Sequence, residues 1–158
     1  MAVGSPHQKQ LLSPGHKLRV RFSSSLLLLY VKVSDQYYYI CVILDLFSRK
    51  VLSYRISNTI DTALSLTTFD DAFQQRQQPN NLMFHSDQGS QYTAFVFRQH
   101  LRELKVKQSF STPGNPYDNS VCESFFHTLK KEALYHHLYE TPQELEEVLI
   151  LVTYVKLF

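Results

Sequence analysis

The chain is short of cysteine, of long apolar runs, of any marked excess of one charge and of internal repeats, and each shortage removes a class of protein. Its two cysteines, Cys41 and Cys122, stand far apart, outside any C-x-x-C pattern and without the histidine spacing of a zinc site. That excludes a disulfide framework and points to a reduced, cytoplasmic setting. The longest strongly apolar run covers residues 26–33 and is broken by Lys32, whereas a helix that crosses a bilayer needs about 20 such residues. Lys9, Lys17, Arg19 and Arg21 precede that run, but no small-residue cleavage site follows it, so it is not read as a secretory signal. A net charge of +2 does not announce a nucleic-acid partner. Local clusters say more: Arg98, Arg102, Lys105 and Lys107 fall together, as do Lys130 and Lys131. No self-similarity of solenoid period is present.

What remains is a globular composition, 44% hydrophobic and 13% aromatic over 158 residues, enough for one compact domain and not for two. Residues 1–25 carry Gly4, Pro6, Pro14, Gly15 and several serines with no sustained period, and are expected to be irregular or disordered. The folded domain is expected over 26–158. Runs at 26–33, 37–46 and 50–57, joined by short polar turns, predict an antiparallel three-strand meander. Asn58, Thr59 and Asp61 offer caps for a helix to about residue 76, with Ala63, Leu66, Phe69 and Phe73 at helical spacing.

A short buried strand follows at 82–84, parallel to an earlier one because a crossover helix precedes it. Thr93 can cap a second helix with Phe97, Leu101 and Leu104 inward and Arg98, Arg102 and Lys105 outward. Residues 106–111 read as extended, and 112–117, with two prolines and a glycine, as a mobile loop near the site. A third helix is expected from 120 to about 135, burying Cys122, Phe126, Leu129 and Ala133, while Glu123, His127 and Lys130 follow another line. Thr141-Pro142-Gln143-Glu144 opens a last helix: an N-cap, proline at the first helical position, and a capping box.

Two acids stand out. Asp87 lies in His85-Ser86-Asp87-Gln88-Gly89-Ser90-Gln91-Tyr92, where an apolar run breaks into a glycine turn, and Glu123 opens the third helix; positions 88–122, 35 residues, separate them. A meander, a covering helix, a strand ending in an acid and a later helix bearing another suggest an α/β, ribonuclease H-like arrangement, a mixed five-stranded sheet with helices on both faces. Its chemistry would be attack on a phosphodiester helped by two divalent ions about 3.5–4 Å apart. Each residue also has a plainer role open to it. Ser120-x-x-Glu123 is a capping box, Asp87 suits a turn before glycine, and His85 and His127 are either neighbours of the site or hydrogen-bonding residues of the core. Lys130 and Lys131 are either phosphate contacts or a solvated helix face.

Four motifs in order, the Asp87 segment, Asp45-Leu46-Phe47-Ser48-Arg49-Lys50, Gly114-Asn115-Pro116-Tyr117-Asp118-Asn119, and Glu123-Ser124-Phe125-Phe126 with Leu129-Lys130-Lys131-Glu132, resemble the integrase catalytic core of bacterial insertion-sequence transposases of the DDE type, relatives of retroviral integrases. The resemblance spans residues 30–147 approximately. It implies DNA transposition: cleavage of DNA ends by water and joining of the freed 3′-hydroxyl to target DNA, with Mg²⁺ or Mn²⁺, two ions in the family. It matches Asp87 and Glu123 to the second and third catalytic and metal-binding acids. It implies DNA contacts for Lys130, Lys131, Arg98 and Arg102, and makes His85, Asn119 and His127 neighbours of the site. Partners would be transposon ends, target DNA and further copies of the chain, in a bacterial cytoplasm and on the nucleoid when DNA is bound. A ribonuclease or other nuclease of the superfamily would share the fold but not the four motifs.

The first acid of the resemblance belongs on the opening strand, at position 27, and Leu27 stands there in Leu26-Leu27-Leu28-Leu29-Tyr30. Residues upstream, and 152–158 at the other end, lose the resemblance as well, as a truncated or frameshifted copy would. The expectation is a core that is inactive or nearly so, with a non-catalytic remnant that binds DNA or a partner chain as the alternative. Asp45 is the other acid that could serve: a three-residue loop at 34–36 would put it on the face of Leu27, and a two-residue loop on the opposite face.

Overall fold

The computed structural model describes residues 23–112 and 120–156. The opening meander forms as expected: β1 (Ser23–Val33), β2 (Gln36–Asp45) and β3 (Val51–Ser57) run antiparallel. The β1–β2 hairpin has a two-residue loop, with Val33 opposite Gln36 and Ser34 in the left-handed region at φ 51°. That loop sets Leu27 opposite Val42 and Ser24 opposite Asp45. Helix α1 (Thr62–Gln75), capped by the Asp61 carboxylate on the Leu64 N–H at 2.8 Å, carries the chain back to β4 (Met83–Ser86), parallel to β1. It buries Leu64, Thr68, Phe69, Ala72 and Phe73, so Ala63 is exposed and Leu66 half-buried, a face rotated from the one expected.

After a helical turn, α2 (Ser90–Thr93), comes α3 (Phe95–Glu103). Thr93 does not cap α3: its hydroxyl turns back to the Gly89 carbonyl, and Ala94, extended at ψ 139°, breaks the two helical pieces apart. Strand β5 (Lys107–Phe110) then pairs parallel with β4. The sheet order is β3-β2-β1-β4-β5, a mixed α/β sheet of ribonuclease H-like form. The Gly114–Asn119 motif falls outside the described residues.

Helix α4 (Ser120–Leu129) widens into a π-helical turn, Lys130–Leu134, and α5 (Pro142–Leu151) widens likewise over Val152–Lys156. The expected cap of α5 holds: Thr141 Oγ1 accepts from the Glu144 N–H, and Glu144 answers by accepting from the Glu140 N–H at 2.9 Å. Side chains alternate along β1 and β2 into two cores. Leu26, Cys41 and Ile43 meet α1 and α3 around Phe69, Phe84 and Phe97; Leu27, Leu29, Val42 and Leu44 meet α4 and α5. On α4 the inward stripe is Cys122, Phe125, Leu129 and Ala133. Phe126, expected inside, is only half-buried, because Phe125 at i+3 from Cys122 takes the sheet-facing place. Among the described residues no helix is long and apolar enough to cross a membrane.

Candidate functional site

Asp87 follows β4 directly. Its Oδ1 accepts from the Gly89 N–H at 2.8 Å, an Asx turn that stops the strand and leaves the carboxyl exposed. A Cβ at 89 would stand 2.9 Å from Asp87 Oδ1 and 2.7 Å from Gln91 Oε1, so a side chain there would displace the Asp87 and Gln91 side-chain ends. Tyr92 fills the floor beneath; burial pushes its phenol up, with Cys41 and the Asp87 carboxylate adding to the shift.

Glu123 sits exposed in the first turn of α4. Ser120 is already helical, so it does not take the capping position itself. Cys122, beside Glu123, packs with Leu27 in one core. The turn that carries Glu123 therefore lies over β1, on the side of the sheet toward which Leu27 points. Pairs Ser24↔Phe84 and Ser25↔His85 fix β1 against β4; carried two residues further, that register sets Leu27 beside Asp87. Burial pushes the Cys122 thiol up to about 11, against a smaller downward pull from the Ser25 hydroxyl.

Leu27 is buried in this core, 4% exposed. Asp45 lies on the opposite face, as the two-residue hairpin requires, and is occupied: Oδ1 accepts from the Phe47 N–H at 2.8 Å and the Ser48 N–H at 3.3 Å, and Oδ2 pairs with Arg76. Asp45 thus anchors the β2–β3 turn. Asp87 and Glu123 offer the hard oxygens that suit Mg²⁺ or Mn²⁺, but among the described residues no group of three or more His, Cys, Asp or Glu side chains is gathered. The donor set as it stands does not fit the expected ions.

His85 is a neighbour of Asp87 and also a hydrogen-bonding residue. Its Nδ1 lies 3.2 Å from Ser109 Oγ and its Nε2 2.9 Å from Ser111 Oγ, tying β4 to the end of β5. The two serines carried no signal in the sequence; only the parallel pairing of His85 with Ser109 reveals them. His127 and Lys131 are exposed on α4, and Lys130 stands over the Phe126 ring at 5.9 Å. Arg98 and Arg102 are exposed on α3, across the sheet from α4, so the two basic clusters do not form one patch. Asn119 lies outside the described residues.

A family model described as integrase core domain matches residues 27–116, and a second of the same description matches 104–150. The transposase for insertion sequence element IS904 of Lactococcus lactis subsp. lactis (strain IL1403) is 36% identical over 115 residues, 73% of this chain and 46% of that protein. Transposase InsF for insertion sequence IS3A of Escherichia coli (strain K12) is 32% identical over 106 residues, 67% of this chain and 37% of that protein. The chain thus spans less than half the length of these curated relatives. Among solved structures, the HTLV-2 integrase catalytic core domain in complex with magnesium superposes with a TM-score of 0.65 at 14% identity, covering 85% of this chain and 86% of that one. The Mos1 transposase catalytic domain with Raltegravir and Mg gives 0.67 at 15%, covering 88% and 74%.

Proposed function

The chain belongs to the integrase core domain family, and from that premise we propose that it is the core portion of a bacterial DNA transposase, of the class that cuts DNA ends and joins them to a target. What supports this reading is the glycine turn that leaves Asp87 open, the parallel β1–β4 pair, and the first turn of α4, where Cys122 shares the core of Leu27 and Glu123 is exposed. Asp87 and Glu123 are the reacting-site acids in this reading. Mg²⁺ or Mn²⁺ is the cofactor of the site type, as the magnesium of the HTLV-2 core and of the Mos1 complex suggests, but this chain's donors fall short of holding it.

Lys131 and His127 extend from Glu123 along the exposed side of α4, where they would meet phosphates; Lys130 shares its ammonium with the Phe126 ring. Arg98 and Arg102, across the sheet, would serve a different stretch of DNA or another copy of the chain. Action on paired DNA ends would need several copies, and the setting would be the bacterial cytoplasm and nucleoid. The second reading, a non-catalytic chain that keeps DNA or partner binding, is favoured by the buried leucine at position 27.

Anisotropy titration of a DNA duplex against the full chain tests the DNA-binding part common to both readings. Binding should weaken with salt, and Lys130→Ala/Lys131→Ala should reduce the log–log salt slope by about 1 to 2. A slope near zero in the unsubstituted chain would contradict it.

A further inference from the structure

Only β1 and β5 flank β4, and a carboxylate that shares an ion with Asp87 from the sheet has to come from one of them. On the β5 side, continuing Ser86↔Phe110 by one residue brings Ser111, whose hydroxyl is already against His85 Nε2. On the β1 side the register brings position 27. Odd-numbered residues of β1 point into the core on the α4 side, and Leu27 is buried in that core, to which Cys122 and Phe125 also belong. Its methyl groups lie in the core on the side of the sheet that α4 covers. They offer no oxygen there, and they exclude the waters that a small hard cation keeps.

Among the described residues no other side chain makes good the loss. Asp45 faces the other way and is held by the turn and Arg76, and the His85 ring bridges two serines. Three parts of the surrounding frame are nevertheless in place among the described residues: the Gly89 turn, the His85 bridge and the seating of Cys122. Two residues before Leu27, on the same face, the buried Ser25 hydroxyl lies against the Cys122 thiol.

We propose that Leu27 closes the cation site of this chain, so that its acid pair takes up no divalent ion, and that the frame around it is intact enough for one carboxylate at position 27 to restore uptake. The inference rests on Asp87 and Glu123 being the acid pair of the site. The test is a Mn²⁺ titration of the full chain, with free ion read by electron paramagnetic resonance, for the unsubstituted protein, Leu27→Asp, and Leu27→Asp/Asp87→Asn. The unsubstituted chain should show no saturable uptake over the range in which Leu27→Asp saturates, a difference of at least about tenfold, the scale of losing one element of a metal site. The double variant should return to the unsubstituted level.

Uptake by the unsubstituted chain as tight as that of Leu27→Asp overturns the inference, and so does Leu27→Asp binding no more tightly than its parent. A double variant that keeps the tighter binding overturns the acid-pair reading, and the inference with it. If circular dichroism shows Leu27→Asp unfolded, Leu27→Glu, which keeps the carboxylate on a longer arm, carries the same comparison: tighter uptake than the parent supports the inference, and equal uptake overturns it.

Discussion

Two aspartates end strands of one sheet and live in opposite circumstances. Asp45 closes β2 with its carboxylate buried, accepting from two backbone N–H groups and paired with Arg76; Asp87 closes β4 exposed, with one oxygen on the Gly89 N–H. Both look alike in sequence, an acid after an apolar run and before a polar turn. The difference teaches that a carboxylate whose oxygens are satisfied within the chain serves the fold, whereas one left open at a strand end is available to a ligand.

The sharpest way to break that contrast is to remove each carboxylate. Asp45→Ala leaves Arg76 and two turn amides without their acceptor and should lower unfolding stability by about 3 kcal/mol, whereas Asp87→Asn should stay within about 0.5 kcal/mol. Urea unfolding measures both, and equal losses would erase the distinction.

A smaller effect separates the two cores, each of which holds one buried thiol. Burial pushes Cys41 up to about 12, against smaller downward pulls from the Thr68 and Ser65 hydroxyls, and Cys122 up to about 11. In the unfolded chain both would ionise near the ordinary 9.0. A folded-state pKa above the unfolded one means that the folded chain holds the proton more tightly. The stability from this source is therefore full below pH about 9 and is lost as pH rises through 11 to 12. The melting temperature should be level up to pH about 9 and fall above it, and a thiol reagent should reach Cys122, on the α4 side, before Cys41. Labelling of Cys41 first would contradict the order set by the two shifts.

Much of the architecture was legible because it rests on local patterns. The meander follows from alternation, the crossover to β4 from a helix of sufficient length, and the start of α5 from Thr141, Pro142 and Glu144. What was not legible depends on backbone choices and distant partners. The hairpin loop size hangs on Ser34 adopting φ 51°, and with it the face of Asp45. The break at Ala94 displaced the Thr93 cap, and the choice of Phe125 over Phe126 was made by the sheet and not by helical periodicity. The His85 bridge joins residues 24 and 26 positions apart through a parallel pairing. At the site, the motifs pointed to Asp87, Glu123 and the departure at Leu27; the burial of Leu27 in the core on the α4 side needed the fold.

The most direct test is strand transfer of a labelled DNA end in Mn²⁺ by the unsubstituted chain and by Leu27→Asp. Phosphoryl transfer depends on positioning and charge stabilisation, so the account predicts joined product from Leu27→Asp and background from the unsubstituted chain. Equal product from the two would contradict it.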